Sequence, residues 1–313
     1  MATLPSTEFI PGDMDPASVA TLIDIQDQRL GECHVLSNNH AARSIGHLMS
    51  CACEGRAGAC RVVQTLLLWL MVQVGTDVAR AQSPELVTDR PDQTESATVV
   101  PRGLIQVETG YLFAREGEKD SYEVPGTLFR IGLDGQTELR IHHAGVVGGE
   151  GRYGAGDSDL GAKVNLIERP TGWTPELAIL GGLSFPTGDD EFSSGGVDPS
   201  FLVSFAHELL PRLSFGYNVG AAWKSSGDHP DRDAFIVYSL ALGVELTGRL
   251  STFLEFFGNR QTSRTPATSV SVDSGLTVLL TDIVQFDVYG GSGLRGHTED
   301  LFVGTGLSFR FPR

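Results

Sequence analysis

From residue 103 onward the chain alternates between apolar and polar or small positions. The pattern is cleanest over residues 213–224, LSFGYNVGAAWK. There Leu213, Phe215, Tyr217, Val219, Ala221 and Trp223 share one set of positions, and Ser214, Gly216, Asn218, Gly220, Ala222 and Lys224 share the other. Successive strand residues point to opposite faces, so this stretch predicts a strand with one wholly apolar face and one small, polar face. Its length suits a tilted membrane-crossing strand, which needs about 9–11 residues.

The signature recurs along the chain. Ile105, Val107, Thr109, Tyr111 and Phe113 oppose Gln106, Glu108 and Gly110; Leu139, Ile141 and His143 oppose Glu138, Arg140 and His142. Leu160, Ala162, Val164 and Leu166 oppose Asp159, Gly161, Lys163 and Asn165, and the last run sets Leu301, Val303, Leu307 and Phe309 against Phe302, Gly304, Ser308 and Arg310. Around Leu250, Leu254 and Phe256 the alternation is less clean, because Phe253 falls on the polar side with Glu255. Such segments add up to about twelve strands, an even number as bacterial single-chain barrels require. Connections alternate too: short at 134–136, 208–212, 247–249 and 281–282, long and polar at 115–120, 148–158, 186–199, 225–233, 259–268 and 291–300. Long loops on one side and short turns on the other mark an outer-membrane barrel. In lipid every backbone polar group must be satisfied within the protein, so the sheet must close. The expected fold is therefore all-β, a closed antiparallel transmembrane β-barrel occupying residues 103–313.

The first 102 residues divide differently. Residues 1–60 form a leader without clear periodicity, beyond a short amphipathic stretch at 16–30. Arg61 then introduces an apolar run at 62–72, followed by Ala79-Arg80-Ala81 and Gln82. A basic residue, a short apolar segment and an A-x-A site make a secretory signal over 61–81, with cleavage expected between Ala81 and Gln82. A signal so far from the first residue points to a start assigned too far upstream, the true one being Met49 or a nearby non-Met initiation codon, or else to a genuine extended leader. Residues 82–102, polar and proline-punctuated, read either as a periplasmic lead-in or as a plug inside the barrel.

Composition narrows the partners. A net charge of −16 with a pI near 4.8 argues against nucleic acid, whose phosphates call for clustered Lys and Arg. All four cysteines (Cys33, Cys51, Cys53 and Cys60) precede the barrel, and with His47 their spacing matches no common zinc pattern. Asp189, Asp190, Glu191 and Asp198 lack an ordered calcium-loop pattern and read as a solvated acidic loop. No cofactor and no metal are expected; the partners are outer-membrane lipid, a small solute, and the barrel-assembly machinery acting on the final strand.

Thr88–Ser96 (TDRPDQTES) and the VVPRGLIQVETGY run at 99–111 resemble the opening of the outer-membrane barrel family catalogued under the meta-pathway of phenol degradation. Gly156-Asp157, the DLGAK run at 159–163, LSFPTGD at 183–189 and the closing GLSFRF at 306–311 are similar to the same family's internal motifs. Pro312-Arg313 after Phe311 departs from the usual aromatic ending. The resemblance implies an outer-membrane transporter for small solutes, with aromatic compounds as one class. A structural or surface barrel without an open pore is the alternative, and a lipid-modifying barrel enzyme a further one.

Inward-facing charges are the candidate site. Glu108, Arg130, Glu138, Arg140, His142, Lys163, Asp273, Asp287 and Arg310 are expected to line the lumen or its constriction. They read either as a charge-selective ring or as a salt-bridge ladder bracing the wall. Thr88, Asp89, Arg90, Pro91 and Asp92 carry the family motif just before the barrel, and their mixed charge could pair with the lumen charges. His142 and His143 raise catalysis, but a Ser two positions on from either is missing, so His142 is expected to bond a lumen carboxylate. Tyr111, Trp173 and Trp223 are expected in the interfacial aromatic girdles.

Overall fold

A computed structural model describes residues 85–168, 172–226, 229–262 and 266–312. The leader, the signal segment with its Ala81/Gln82 site, and the four cysteines lie outside the described residues. The alternating segments form strands, in chain order β1 (Leu104–Glu116), β2 (Lys119–Gly132), β3 (Thr137–His143), β4 (Val146–Gly149), β5 (Arg152–Ala155), β6 (Ser158–Ile167) and β7 (Glu176–Phe185). There follow β8 (Asp198–Leu210), β9 (Leu213–Ser226), β10 (His229–Thr247), β11 (Leu250–Gln261), β12 (Thr268–Thr281), β13 (Val284–Arg295) and β14 (Leu301–Pro312).

Every neighbour pair is antiparallel, and β1 pairs with both β2 and β14. The closing seam runs from Leu104 opposite Pro312 to Arg115 opposite Leu301. Fourteen strand segments make a twelve-walled barrel, because β3 with β4 and β5 with β6 are each one interrupted wall. The lower half of β2 pairs with β3 and its upper half with β4. The interruption falls where Pro125, which has no N–H to give, meets Ala144-Gly145. Gly145 has φ 74° there and packs against the Pro125 backbone.

The alternation sorts the two faces. Phe129, Ile141, Leu160, Phe201, Leu240 and Leu276 stay exposed on the outside, the arrangement lipid requires. Arg130, Glu138, Lys163, Glu255 and Asp287 are buried inside. Near the periplasmic ends of β8 and β9, Phe205, Phe215 and Tyr217 pack ring to ring, with Phe205 and Tyr217 stacked at 4.8 Å. These rings belong to a girdle that also takes Phe309 and Phe311. Trp173 stands 85% exposed in the β6–β7 turn, while Trp223 and Tyr111 face outward from their strands.

Several connections are shorter than the sequence pattern suggests. Residues 115–120 are a tight hairpin, 148–158 are mostly β4 and β5, and β9 and β10 consume most of 225–233. Polar composition there reflects strands that run past the hydrocarbon into water, where paired backbone needs no apolar side chains. The principal outer loop is 186–197. Asp157 anchors it by accepting the Gly188 N–H at 3.0 Å and the Ser194 N–H at 2.8 Å. Partial burial would raise the Asp157 carboxyl, but those N–H groups hold it below its ordinary value. Asp189 in turn accepts the Ala155 N–H at 2.9 Å, so the GD and PTGD motifs interlock from neighbouring hairpins.

Candidate functional site in the barrel lumen

The inward rows do not enclose an empty bore. Residues 85–103 enter the barrel, turn, and return to begin β1. The turn is closed by Ser96, whose N–H and hydroxyl both donate to Asp89 Oδ1, at 3.1 and 2.6 Å. This plug is the TDRPDQTES motif, and the wall residues opposite it are the candidate lumen charges.

Asp89 is the hub. Its Oδ2 lies 3.0 Å from Arg130 Nη1, 2.6 Å from Arg140 Nη1 and 2.8 Å from Lys163 Nζ. Its N–H donates to Glu108 Oε2 at 3.0 Å. Burial alone would push the Asp89 carboxyl up, but Arg130, Lys163 and Arg140 together hold it well below the usual carboxylate range. Arg130, fully buried, also donates to Glu138 Oε1 at 2.9 Å, Glu108 Oε1 at 2.9 Å and the Thr98 carbonyl at 2.9 Å. Charges at this depth persist only when paired and hydrogen-bonded, and Asp89 and Arg130 are both.

Around the rest of the ring the plug's polar groups find different partners. Arg90 makes two bonds to Asp287, at 3.1 and 3.3 Å, and lies over the Tyr289 ring. Its guanidinium occupies the space beside Gly306 that a Cβ would need. Thr88 accepts from Gln285, Gln93 N–H donates to Glu255 at 2.7 Å, and Thr94 bonds Ser239 at 2.8 Å. Glu95 N–H donates to Asn218 at 2.7 Å, while its carboxylate meets Arg140 at 2.8 Å. Val100 N–H donates to Glu138 at 2.7 Å, Asn165 donates to the Ala97 carbonyl at 2.8 Å, and Arg310 donates to the Glu85 carbonyl at 2.9 Å. Gly132 lets the returning arm pass, since a Cβ there would collide with the Val100 and Pro101 carbonyl oxygens.

Seven of the nine candidate lumen residues therefore touch the plug: Glu108, Arg130, Glu138, Arg140, Lys163, Asp287 and Arg310. His142 and Asp273 make no hydrogen bond to it. His142 Nδ1 instead bonds Asp159 Oδ2 at 2.7 Å. His143, on the outer face, meets Ser158 across the strand pair at 3.1 Å, a contact that residue spacing could not reveal. Sequence reasoning passed over Gln106, Ser204, Asn218 and Ser239, neutral inward residues at plug height. Their signal was present in the small, polar face of each strand. Beyond Arg90, toward the outer end, Ala114, Phe253, Tyr289 and Phe302 pack together inside the wall with Leu112 and Phe257.

The family model described as "Putative MetA-pathway of phenol degradation" matches residues 88–311, beginning on the first residue of the plug motif. The chain belongs to this family. The crystal structure of an outer membrane channel from Pseudomonas putida F1 is similar at TM-score 0.55, with 14% identity over 75% of this chain and 100% of that one. NanC porin reaches TM-score 0.45 with 12% identity, covering 66% of this chain and 98% of its own. KdgM porin reaches 0.44 with 12% identity, over 66% and 99%. No curated protein matches the chain. The Pseudomonas likeness shows the barrel fold. Family membership and the lipid-exposed apolar exterior place the protein in the bacterial outer membrane.

Proposed function

We propose that the protein is an outer-membrane channel for small solutes whose bore is closed at rest by its own N-terminal segment. The observation that carries this reading is the chemistry of the plug's seat. Its hub and most of its named contacts are ion pairs and hydrogen bonds, which water can replace when the segment leaves the wall, while the apolar surface it buries lies chiefly at Leu86, Ala97, Val99 and Val100. The aromatic wall of Phe253, Phe257, Tyr289 and Phe302 supports small aromatic solutes as one transported class, in keeping with the family's description.

The static-barrel alternative has its own support, since plug contacts reach almost every wall. Planar-bilayer recording separates the two. Discrete openings that small aromatic acids block favour the channel. A folded barrel that stays silent, even when the plug is loosened by substitution, favours the static barrel. Recognition by the assembly machinery through the final strand, despite Pro312, belongs to the same reading and is tested by insertion of a Pro312→Phe variant.

A further inference from the structure

The plug's seat is electrically lopsided. On the β1–β6 side the carboxylates Asp89, Glu95, Glu108 and Glu138 face Arg130, Arg140 and Lys163. On the β11–β13 side stand Asp92, Glu255, Asp273 and Asp287, and the one base among them, Arg90, is engaged by Asp287. Asp92 of the plug tip, Glu255 of β11 and Asp273 of β12 are neighbours, and none of the three has an ion-pair partner among the described residues.

Glu255 and Asp273 are directly opposite in the β11–β12 register, and both are buried on the inner face of the wall. Among the described residues no N–H or O–H donor reaches either oxygen of Asp273, although the residue is only 2% exposed. Glu255 is satisfied from the plug side alone, by the Gln93 N–H and the Thr94 hydroxyl. Two buried carboxyls side by side repel when both are ionised, and a proton shared by the pair relieves that repulsion. Asp92 brings a third acid to the same place. Enclosure first, then Glu255 and Asp273, push the Asp92 carboxyl well above the usual range, with Asp89 adding to the effect.

We propose that Asp92, Glu255 and Asp273 form a proton-operated latch for the plug tip. Protonated, the cluster is neutral enough to hold Gln93 and Thr94 against β11. Deprotonated, it concentrates negative charge at the tip and drives it off. The sign follows from linkage: the seated tip binds protons that the released tip, with ordinary carboxyls, gives up near pH ~4. Seating therefore weakens as pH rises, by about tenfold per unit for each proton involved, until the seated groups have themselves ionised. Asp89 anchors the opposite flank through the basic ring, and Arg90 stays tied to Asp287 of β13, so the tip opens locally and the base of the plug stays in place. This latch rests on the reading of the plug as a gate.

The test is amide hydrogen exchange on the full chain in detergent micelles, resolved to single plug amides by fragmentation and corrected for the intrinsic rate. It is run at about pH 6 and about pH 8.5, on either side of neutrality. The Gln93 and Glu95 amides are expected to lose at least about tenfold in protection at the higher pH. The Asp89 and Val100 amides, held by Glu108 and Glu138, are expected to keep theirs. Asp273→Asn supplies an amide donor to Glu255 and is expected to abolish the pH response. Glu255→Gln, which gives Asp273 a donor while still accepting from Gln93, is a second route to the same result. Protection of the tip that does not change with pH overturns the latch, as does an undiminished response in both variants. Bilayer current recorded in parallel separates the two proposals: tip release without added current keeps the latch, silence that persists when Asp89→Asn also frees the base refutes the channel, and added current without tip release refutes the latch.

Discussion

Replacing Asp89 with Asn keeps the side chain's shape and removes the charge at the centre of the plug. Three bases lie within 3.0 Å of its Oδ2: Arg130, Arg140 and Lys163. Removing one partner of a buried ion pair costs roughly 3–5 kcal/mol when the other is left unpaired. Here the bases are not orphaned. Arg130 keeps Glu108 and Glu138, Arg140 keeps Glu95 and Glu138, and Lys163 keeps Glu95 at 3.3 Å. The lower end of that range applies, about 3 kcal/mol, or about a hundredfold on the equilibrium for releasing the plug. With the Asn oxygen accepting from Ser96 the turn itself should survive, but its NH2 then faces Arg130, Arg140 and Lys163, so about 3 kcal/mol is the minimum loss. Amide exchange of the plug at fixed pH reads the effect, with intact strand amides as the control for barrel integrity. Protection of the Asp89, Gln93, Glu95 and Val100 amides should fall by at least about two orders of magnitude while the strands are untouched. A change smaller than about twofold in a folded barrel would show that the ion pairs do not hold the plug, and the energetic reasoning would fail.

Other perturbations probe different parts of the seat. Gly132→Ala places a Cβ against the Val100 and Pro101 carbonyls, so the returning arm should lose protection at Val100 while the far tip keeps its bonds; exchange at that amide checks it. Gly306→Val takes the space of the Arg90 guanidinium and should break its pairing with Asp287, raising channel open probability in bilayers. Acid should loosen the plug too. The Asp89 carboxyl is depressed when seated, so its contribution is complete above about pH 4 and is lost as pH falls through the depressed value; plug exchange followed down in pH reads this. Asp157→Ala removes the acceptor for the Gly188 and Ser194 N–H groups and should free the 186–197 loop at a cost of about 1 kcal/mol, seen as faster proteolysis of that loop in intact cells.

The barrel was legible because alternation is a local signal repeated along each strand. The inward charges followed from it, since parity alone puts Arg130 and Glu138 on the same side as Glu108. The plug was legible only as one of two alternatives. Its position depends on pairs such as Arg90 with Asp287, 197 residues apart, and no local periodicity records a partner at that distance. A polar stretch before a barrel looks the same whether it hangs in the periplasm or fills the lumen. The irregular wall at β3 and β4 was hidden for a related reason: Pro125 disrupts its neighbour's pairing, and the identity of that neighbour is tertiary information. The untidy pattern near Phe253 did carry meaning, for that ring joins Tyr289 and Phe302 inside the wall.

The central claim is that solutes pass only when the plug leaves its seat. Thr94 and Ser239 supply the means to test it, because their hydroxyl oxygens lie 2.8 Å apart across plug and wall. Residues 82–313 contain no native cysteine, so Thr94→Cys with Ser239→Cys offers a single plug-to-wall disulfide within the barrel. Single-channel current in planar bilayers would be recorded for this variant oxidised and then after reduction. The account predicts silence when the plug is locked and discrete openings once it is freed. Equal currents in the two states would contradict it.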